Sequence, residues 1–221
     1  MMICPLSIYE ELKDKPEKEI RTAIRGYKNQ IGRLKKILEN PDFEEFICPS
    51  HDVQLQMNRE YMQNAIMALI NAGFDYQPSK AEEKSDLFNE RLDDLMQIEF
   101  NVGGFFEGHE RYIIKFNETD EAIFTYDVGL GRDSEVVRKP LSKQECIKEL
   151  KDLYMGEWKR KYWADVLDGI QWEVKLWFYH NNQKTFYGSN AFPFSYEKLK
   201  ELCEMWCLDI EAEINDGEVK K

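Results

Sequence analysis

The sequence predicts an α+β protein: a helical hairpin or bundle at the N-terminus, then an antiparallel sheet of about six strands in the order ββββαββα, with helices packed on one face. Three observations predict it. Between Glu17 and Glu39, apolar side chains recur every three or four residues, the period of a helix. Near Gln97 the period drops to two, the period of a strand. Further on, Trp172, Val174, Leu176 and Phe178 alternate with Glu173, Lys175, Trp177 and Tyr179, the clearest strand in the chain.

In the first long helix, Ile20, Ile24, Tyr27, Ile31, Leu34 and Leu38 form one stripe. Pro16 stands where a first turn tolerates proline, and Asn40-Pro41 ends the run because proline disfavours helix in the residue before it. Gly26 and Gly32 weaken the interior by about 1 kcal/mol each and offer a close helix approach. A second helix is predicted over Val53 to Asn71, closed by Ala72-Gly73. A third runs from Ser79 to Leu95, with Ser79 and Glu82 in capping-box spacing.

The sheet opens with Ile98, Phe100 and Val102 alternating against Glu99 and Asn101. Gly103-Gly104 interrupts it, and Tyr112, Ile114 and Phe116 alternate again. Asn117 to Asp120 is a polar turn before a strand over Glu121 to Val128. Gly129-Leu130-Gly131 turns into a fourth strand near Val136, and four short sequential strands suit a meander. Ser142 caps a helix with Glu145 in the reciprocal position. Aromatic residues on both faces place the 172–179 strand inside the sheet, and Thr185 to Tyr187 returns beside it after the turn at His180. Ser195 is expected to cap a last helix, and the polar tail from Asn215 to fray. The expected division is a helical region over 1–95 and an α+β region over 96–221, hinged between Asp75 and Ser85.

A chain of 221 residues with 43% hydrophobic and 13% aromatic residues can bury a real core. Its charged fraction of 33% keeps the surface wet. Net charge is −12, so most of the surface repels nucleic acid. That charge serves solubility or faces a basic protein partner. The five cysteines are odd in number and irregularly spaced, and no secretory signal opens the sequence; a reducing, cytoplasmic setting is expected. No apolar run spans a bilayer, so no membrane association is expected.

No motif for catalysis is found, and no catalytic residue, metal or cofactor is expected. The glycines at 129–131 and 103–104 lack the helix and the lysine of a phosphate loop. Cys48, His51, Cys203 and Cys207 could in principle hold zinc, but no CxxC pair exists and Cys203 falls on an apolar stripe. His109 and His180 fall in expected turns, and no nucleophile elbow frames any serine.

Charge placement is more informative. The window from Lys18 to Lys36 holds seven bases and one acid, so it carries +6 and leaves −18 for the rest. Arg21, Arg25, Lys28, Arg33, Lys35 and Lys36 are the phosphate or nucleic-acid candidates, unless this face pairs with acids elsewhere in the fold. Trp158, Lys159, Arg160, Lys161, Tyr162 and Trp163 interleave basic and aromatic groups. They are partner-binding candidates, unless the tryptophans plug the sheet edge.

Three runs read together carry a resemblance. They are Gly156 to Tyr162 (GEWKRKY), Leu167 to Trp172 (LDGIQW) and Tyr187 to Pro193 (YGSNAFP). In this order they resemble a family of α+β domains found in gut bacteria and their mobile elements, a family with no assigned activity. The resemblance implies a bacterial or mobile-element setting and nothing about mechanism.

The expected function is that of a non-enzymatic acidic interaction protein with a basic or nucleic-acid-binding protein partner. One concrete form is a phage or mobile-element inhibitor of a nucleic-acid-binding defence enzyme, in the manner of an anti-CRISPR protein. The alternatives are a nucleic-acid-contacting accessory protein using the basic helix, and a hydrolase built around His109 or His180.

Overall fold

The computed structural model describes residues 5–40, 47–104, 108–116, 121–127, 137–140, 142–165, 169–179 and 182–217, with side chains over 7–40, 47–104, 108–116, 142–165, 169–179 and 182–206. The expected turns at 117–120, 129–131 and 180–181, the strand start at Val136 and the last residues of the tail lie outside the described residues, as do Leu167 and Asp168. The chain divides into two compact units, Met1–Ser79 and Lys80–Lys221.

The described residues of the first unit form the helices α1 (Pro5–Leu12), α2 (Glu17–Leu38) and α3 (His51–Asn71). The stripe on α2 buries Ile20, Ile24, Ile31 and Leu34. Against it α3 sets Leu55, Tyr61, Ala65, Ala68 and Leu69, and Ile8 and Leu12 of α1 complete the core. The small residues Ala65 and Ala68 let the helices approach, and Tyr27 packs on Tyr61 with ring centroids 5.7 Å apart. Gly26 and Gly32 do not serve a helix contact: a Cβ at either meets nothing within 4 Å.

The second unit begins with α4 (Lys80–Arg91), a helical turn at Leu92–Asp94 and the strands β1 (Leu95–Gly104), β2 (Gly108–Lys115), β3 (Glu121–Asp127) and β4 (Val137–Pro140). Then come α5 (Lys143–Lys151), a turn at Met155–Glu157, β5 (Lys161–Trp163), β6 (Gln171–Phe178), β7 (Asn182–Ser189) and α6 (Tyr196–Gly217). The strands form one sheet in the order β4-β3-β2-β1-β6-β7-β5. The α+β class and the meander over β1 to β4 agree with the sequence pattern. The expected six antiparallel strands do not: the described residues form seven, and β5 runs parallel to β7, so the sheet is mixed. β5 is too short to show a period, which is why the order ββββαββα omitted it.

The two compact units part at Ser79, so α4 lies in the same unit as the sheet. Phe88 of α4 meets Phe178 and Phe186 edge-on, at 6.5 and 6.1 Å. Gly156 permits this approach, since a Cβ there would lie 2.8 Å from the Ser85 backbone.

Alternation makes one sheet face dry. Ile98, Phe100 and Val102 of β1, Tyr112 and Ile114 of β2, Trp172, Val174, Leu176 and Phe178 of β6 and Phe186 of β7 are all buried. Both α4, through Phe88, and α6, through Tyr196 against Phe100, pack on this face. Ser142 caps α5 as expected, accepting from the Glu145 backbone N–H at 3.4 Å. Ser195 does not act as a side-chain cap in the described bonds: its Oγ donates to the Leu153 carbonyl at 2.7 Å and accepts from Trp158 Nε1 at 3.0 Å.

Candidate functional site

The Trp158 to Trp163 cluster is divided between core and surface, and within β5 by strand alternation. Trp158 and Tyr162 point into the core, only 4% and 5% exposed, so they are packing residues and cannot serve as surface anchors. Trp158 stacks edge-on against Trp172 and Phe186, and the Tyr162 hydroxyl accepts from the Lys159 backbone N–H at 3.0 Å. Lys159, Arg160, Lys161 and Trp163 are exposed. Trp163 is 62% exposed, and the Lys161 ammonium lies 4.7 Å from its ring centroid. This stack stands on β5, which ends the sheet.

The other sheet face is polar and half-buried. Its centre is Glu99, which accepts from Arg111 Nε at 2.9 Å and from Asn101 Nδ2 at 3.0 Å, with Arg111 Nη2 also 2.9 Å away. Burial pushes the Glu99 carboxyl up, but the bonds from Arg111 and Asn101 and the charges of Arg111 and Lys175 outweigh it. The net result lies below the ordinary carboxylate value. Glu173 pairs with Lys175 beside it. Such closed pairs order a surface and leave little for chemistry.

The six α2 candidates do not act as one set. Arg21 is tied to Glu17 at 2.7 Å and to the Asp75 carbonyl at 2.9 Å. Lys28 lies over the Tyr76 ring at 5.1 Å. With Arg33 and Lys36 it lines a shallow groove of about 530 Å³ that includes Gly32 and Ile37. Arg25 lies outside that groove, as does Lys35, which is engaged elsewhere.

Along α4 like charges stand in register. Glu82, Asp86 and Glu90 follow at four-residue steps, joined by Glu157 from the neighbouring turn. Burial, then the charges of Glu82, Glu90 and Glu157, push the Asp86 carboxyl above its ordinary value. Four-residue spacing of like charge destabilises a helix, whereas alternating signs would support it.

Among the described residues, no group of three or more His, Cys, Asp and Glu side chains is placed to hold a metal. His109 lies within β2, opposite Gly103, and not in a turn; His180 lies outside the described residues. Cys146 and Cys203 are buried and Cys48 is exposed, while the Cys207 side chain lies outside the described residues. No described helix is long and apolar enough to cross a membrane.

The described residues of the three runs meet at a structural corner. Trp172 Nε1 donates to the Ala191 carbonyl at 2.9 Å, and the Asn190 N–H donates to the Ile170 carbonyl at 2.9 Å. Asn190 adopts a left-handed backbone, φ 51°, to make this turn. Trp158, Tyr162, Phe192 and Tyr196 surround the Trp172 ring. Trp158, Tyr162 and Trp172, the large aromatic residues of these runs that are buried, therefore build core. Comparison with known protein families, with curated proteins and with solved structures finds no match.

Proposed function

We propose that the protein is a non-enzymatic acidic interaction protein whose partner is a basic or nucleic-acid-binding protein. The observation that carries this reading is Trp163, a largely exposed tryptophan held under a lysine on a short edge strand. Tryptophan on a surface costs solvation, and it is the residue type most enriched among interface anchors. The acid row Glu82, Asp86 and Glu90 supplies the charge complement. The concrete form we favour is a phage or mobile-element inhibitor of a nucleic-acid-binding defence enzyme, acting by occupying a basic surface.

The test is affinity capture from a nuclease-treated bacterial lysate, read by mass spectrometry, with wild type beside Trp163→Ala and Lys161→Ala. The wild type retains a basic protein, and the Trp163→Ala variant loses affinity by about tenfold or more at unchanged circular dichroism. Added salt weakens retention. Equal retention by all three proteins would remove the reading. The groove formed by Lys28, Arg33 and Lys36 supports a second reading, nucleic-acid contact through α2. That reading takes over if the captured material is nucleic acid in untreated lysate and Arg33→Glu abolishes its capture.

A further inference from the structure

A second groove, of about 850 Å³, runs along the other side of α4. Lys80, Lys84 and Arg91 enter it from α4, and Lys184 enters from β7. Leu87, 60% exposed, and Phe88 supply apolar surface between them. Glu83, Glu90 and Asp94 also line it, yet among the described residues none of them forms an ion pair with the four cations. Two of the cations are held by aromatic rings instead. Arg91 sits 4.6 Å from the Phe178 centroid, and Lys184 sits 5.5 Å from that of Phe186.

These cations repel one another. Burial, then the charges of Lys84, Arg160 and Arg91, hold the Lys184 ammonium below its ordinary value. A folded-state value below the unfolded one means that the charged lysine costs stability at neutral pH. The cost is relieved as pH rises through the folded value towards 10.5. Positive groups gathered at a cost to folding, with positions fixed by rings and apolar surface between them, form a pre-organised anion site.

We propose that this groove binds a small ligand that carries two or more phosphate groups on an apolar or aromatic body, the chemistry of a nucleoside di- or triphosphate. Phosphate matches the fork of Arg91 and the point charges of Lys84 and Lys184. The body of the ligand covers Leu87. The site goes beyond the protein-binding reading above and does not use Trp163.

The test is titration calorimetry of the full chain with ATP, tripolyphosphate and adenosine at physiological ionic strength. A site that reads charge alone ranks the more highly charged tripolyphosphate first. The proposed site ranks ATP first and ignores adenosine. Replacing Lys84 and Lys184 together by methionine weakens ATP by about tenfold or more. The same double variant melts at or above the wild-type temperature, because repulsion has been removed. Lys184→Arg keeps binding. No binding of ATP, tripolyphosphate binding at least as well as ATP, or unchanged affinity in the double variant would each overturn the proposal.

Discussion

Replacing Trp172 by alanine is expected to remove about 3–5 kcal/mol from the stability of the Lys80–Lys221 unit. The ring is 3% exposed. Its centroid lies 5.4 Å from Tyr196, 5.9 Å from Tyr162, 6.3 Å from Trp158 and 6.5 Å from Phe192. Truncation opens a cavity under all four and strands the Ala191 carbonyl, which loses the indole N–H at 2.9 Å. A domain is stable by only about 5–15 kcal/mol, so this one change brings the unit close to unfolding. Urea titration followed by circular dichroism measures it. Trp172→Phe, which keeps most of the volume and loses the donor, should cost less than half as much. A cost below about 1 kcal/mol for alanine would show that the corner is not the centre of the core.

Gly188→Ala is expected to cost about 1–3 kcal/mol or more, from the opposite cause. Gly188 lies directly across from Trp172 in the β6–β7 ladder. A Cβ there would stand 2.5 Å from Trp172 Nε1, 2.6 Å from its Cε2 and 2.8 Å from the Ala191 carbonyl oxygen. None of these atoms ends a flexible chain, so the strands or the indole must move. The two changes are coupled. In the Trp172→Ala background the clash with the indole is gone and only that with the Ala191 carbonyl remains, so the added methyl should cost less. A double-mutant cycle reads this coupling; full additivity would contradict the proposed clash.

These two residues show what was legible in the sequence. The period of α2 and the alternation of β1 and β6 place Ile20, Ile24, Phe100 and Val174 on the faces that the structure buries. Ser142 and Glu145 announced the start of α5. What escaped was decided by contacts distant in sequence. The alternation within Lys161–Trp163 buries Tyr162 and exposes its neighbours, but three residues carry no readable period. Trp158 leaves the surface because Ser195 offers it an acceptor from far along the chain. The assignment of α4 to the sheet depends on Phe88 meeting Phe178 and Phe186, which nothing local announces. The α2 stripe was visible as charge, but the pairing of Arg21 with Glu17 and Asp75 was not. The groove cations come from residues 80–91 and 184, and no window along the sequence gathers them.

Charge rows on α4 link the two proposals. A surface selected for folding alone would set acids and bases four residues apart in opposite sign. Here the acids Glu82, Asp86 and Glu90 share one row, while Lys80 and Lys84 share another. Both rows weaken the fold, and both offer a field to something outside it. On the proposed function, this weakness exists for binding.

The direct measurement is the melting temperature of Asp86→Asn against pH, with partner capture alongside. The Asp86 carboxyl holds its proton more tightly when folded, so its ionised form costs stability at every pH above the folded value. Removing the charge should raise the melting temperature by about 1–3 °C near neutral pH, from two like-charge pairs of about 0.2–0.5 kcal/mol each. The gain should vanish below the ordinary aspartate value of 3.8. The same variant should retain less of the basic partner that wild type captures. A lower melting temperature at neutral pH, or undiminished capture, would contradict the claim that the acid row is there for a partner.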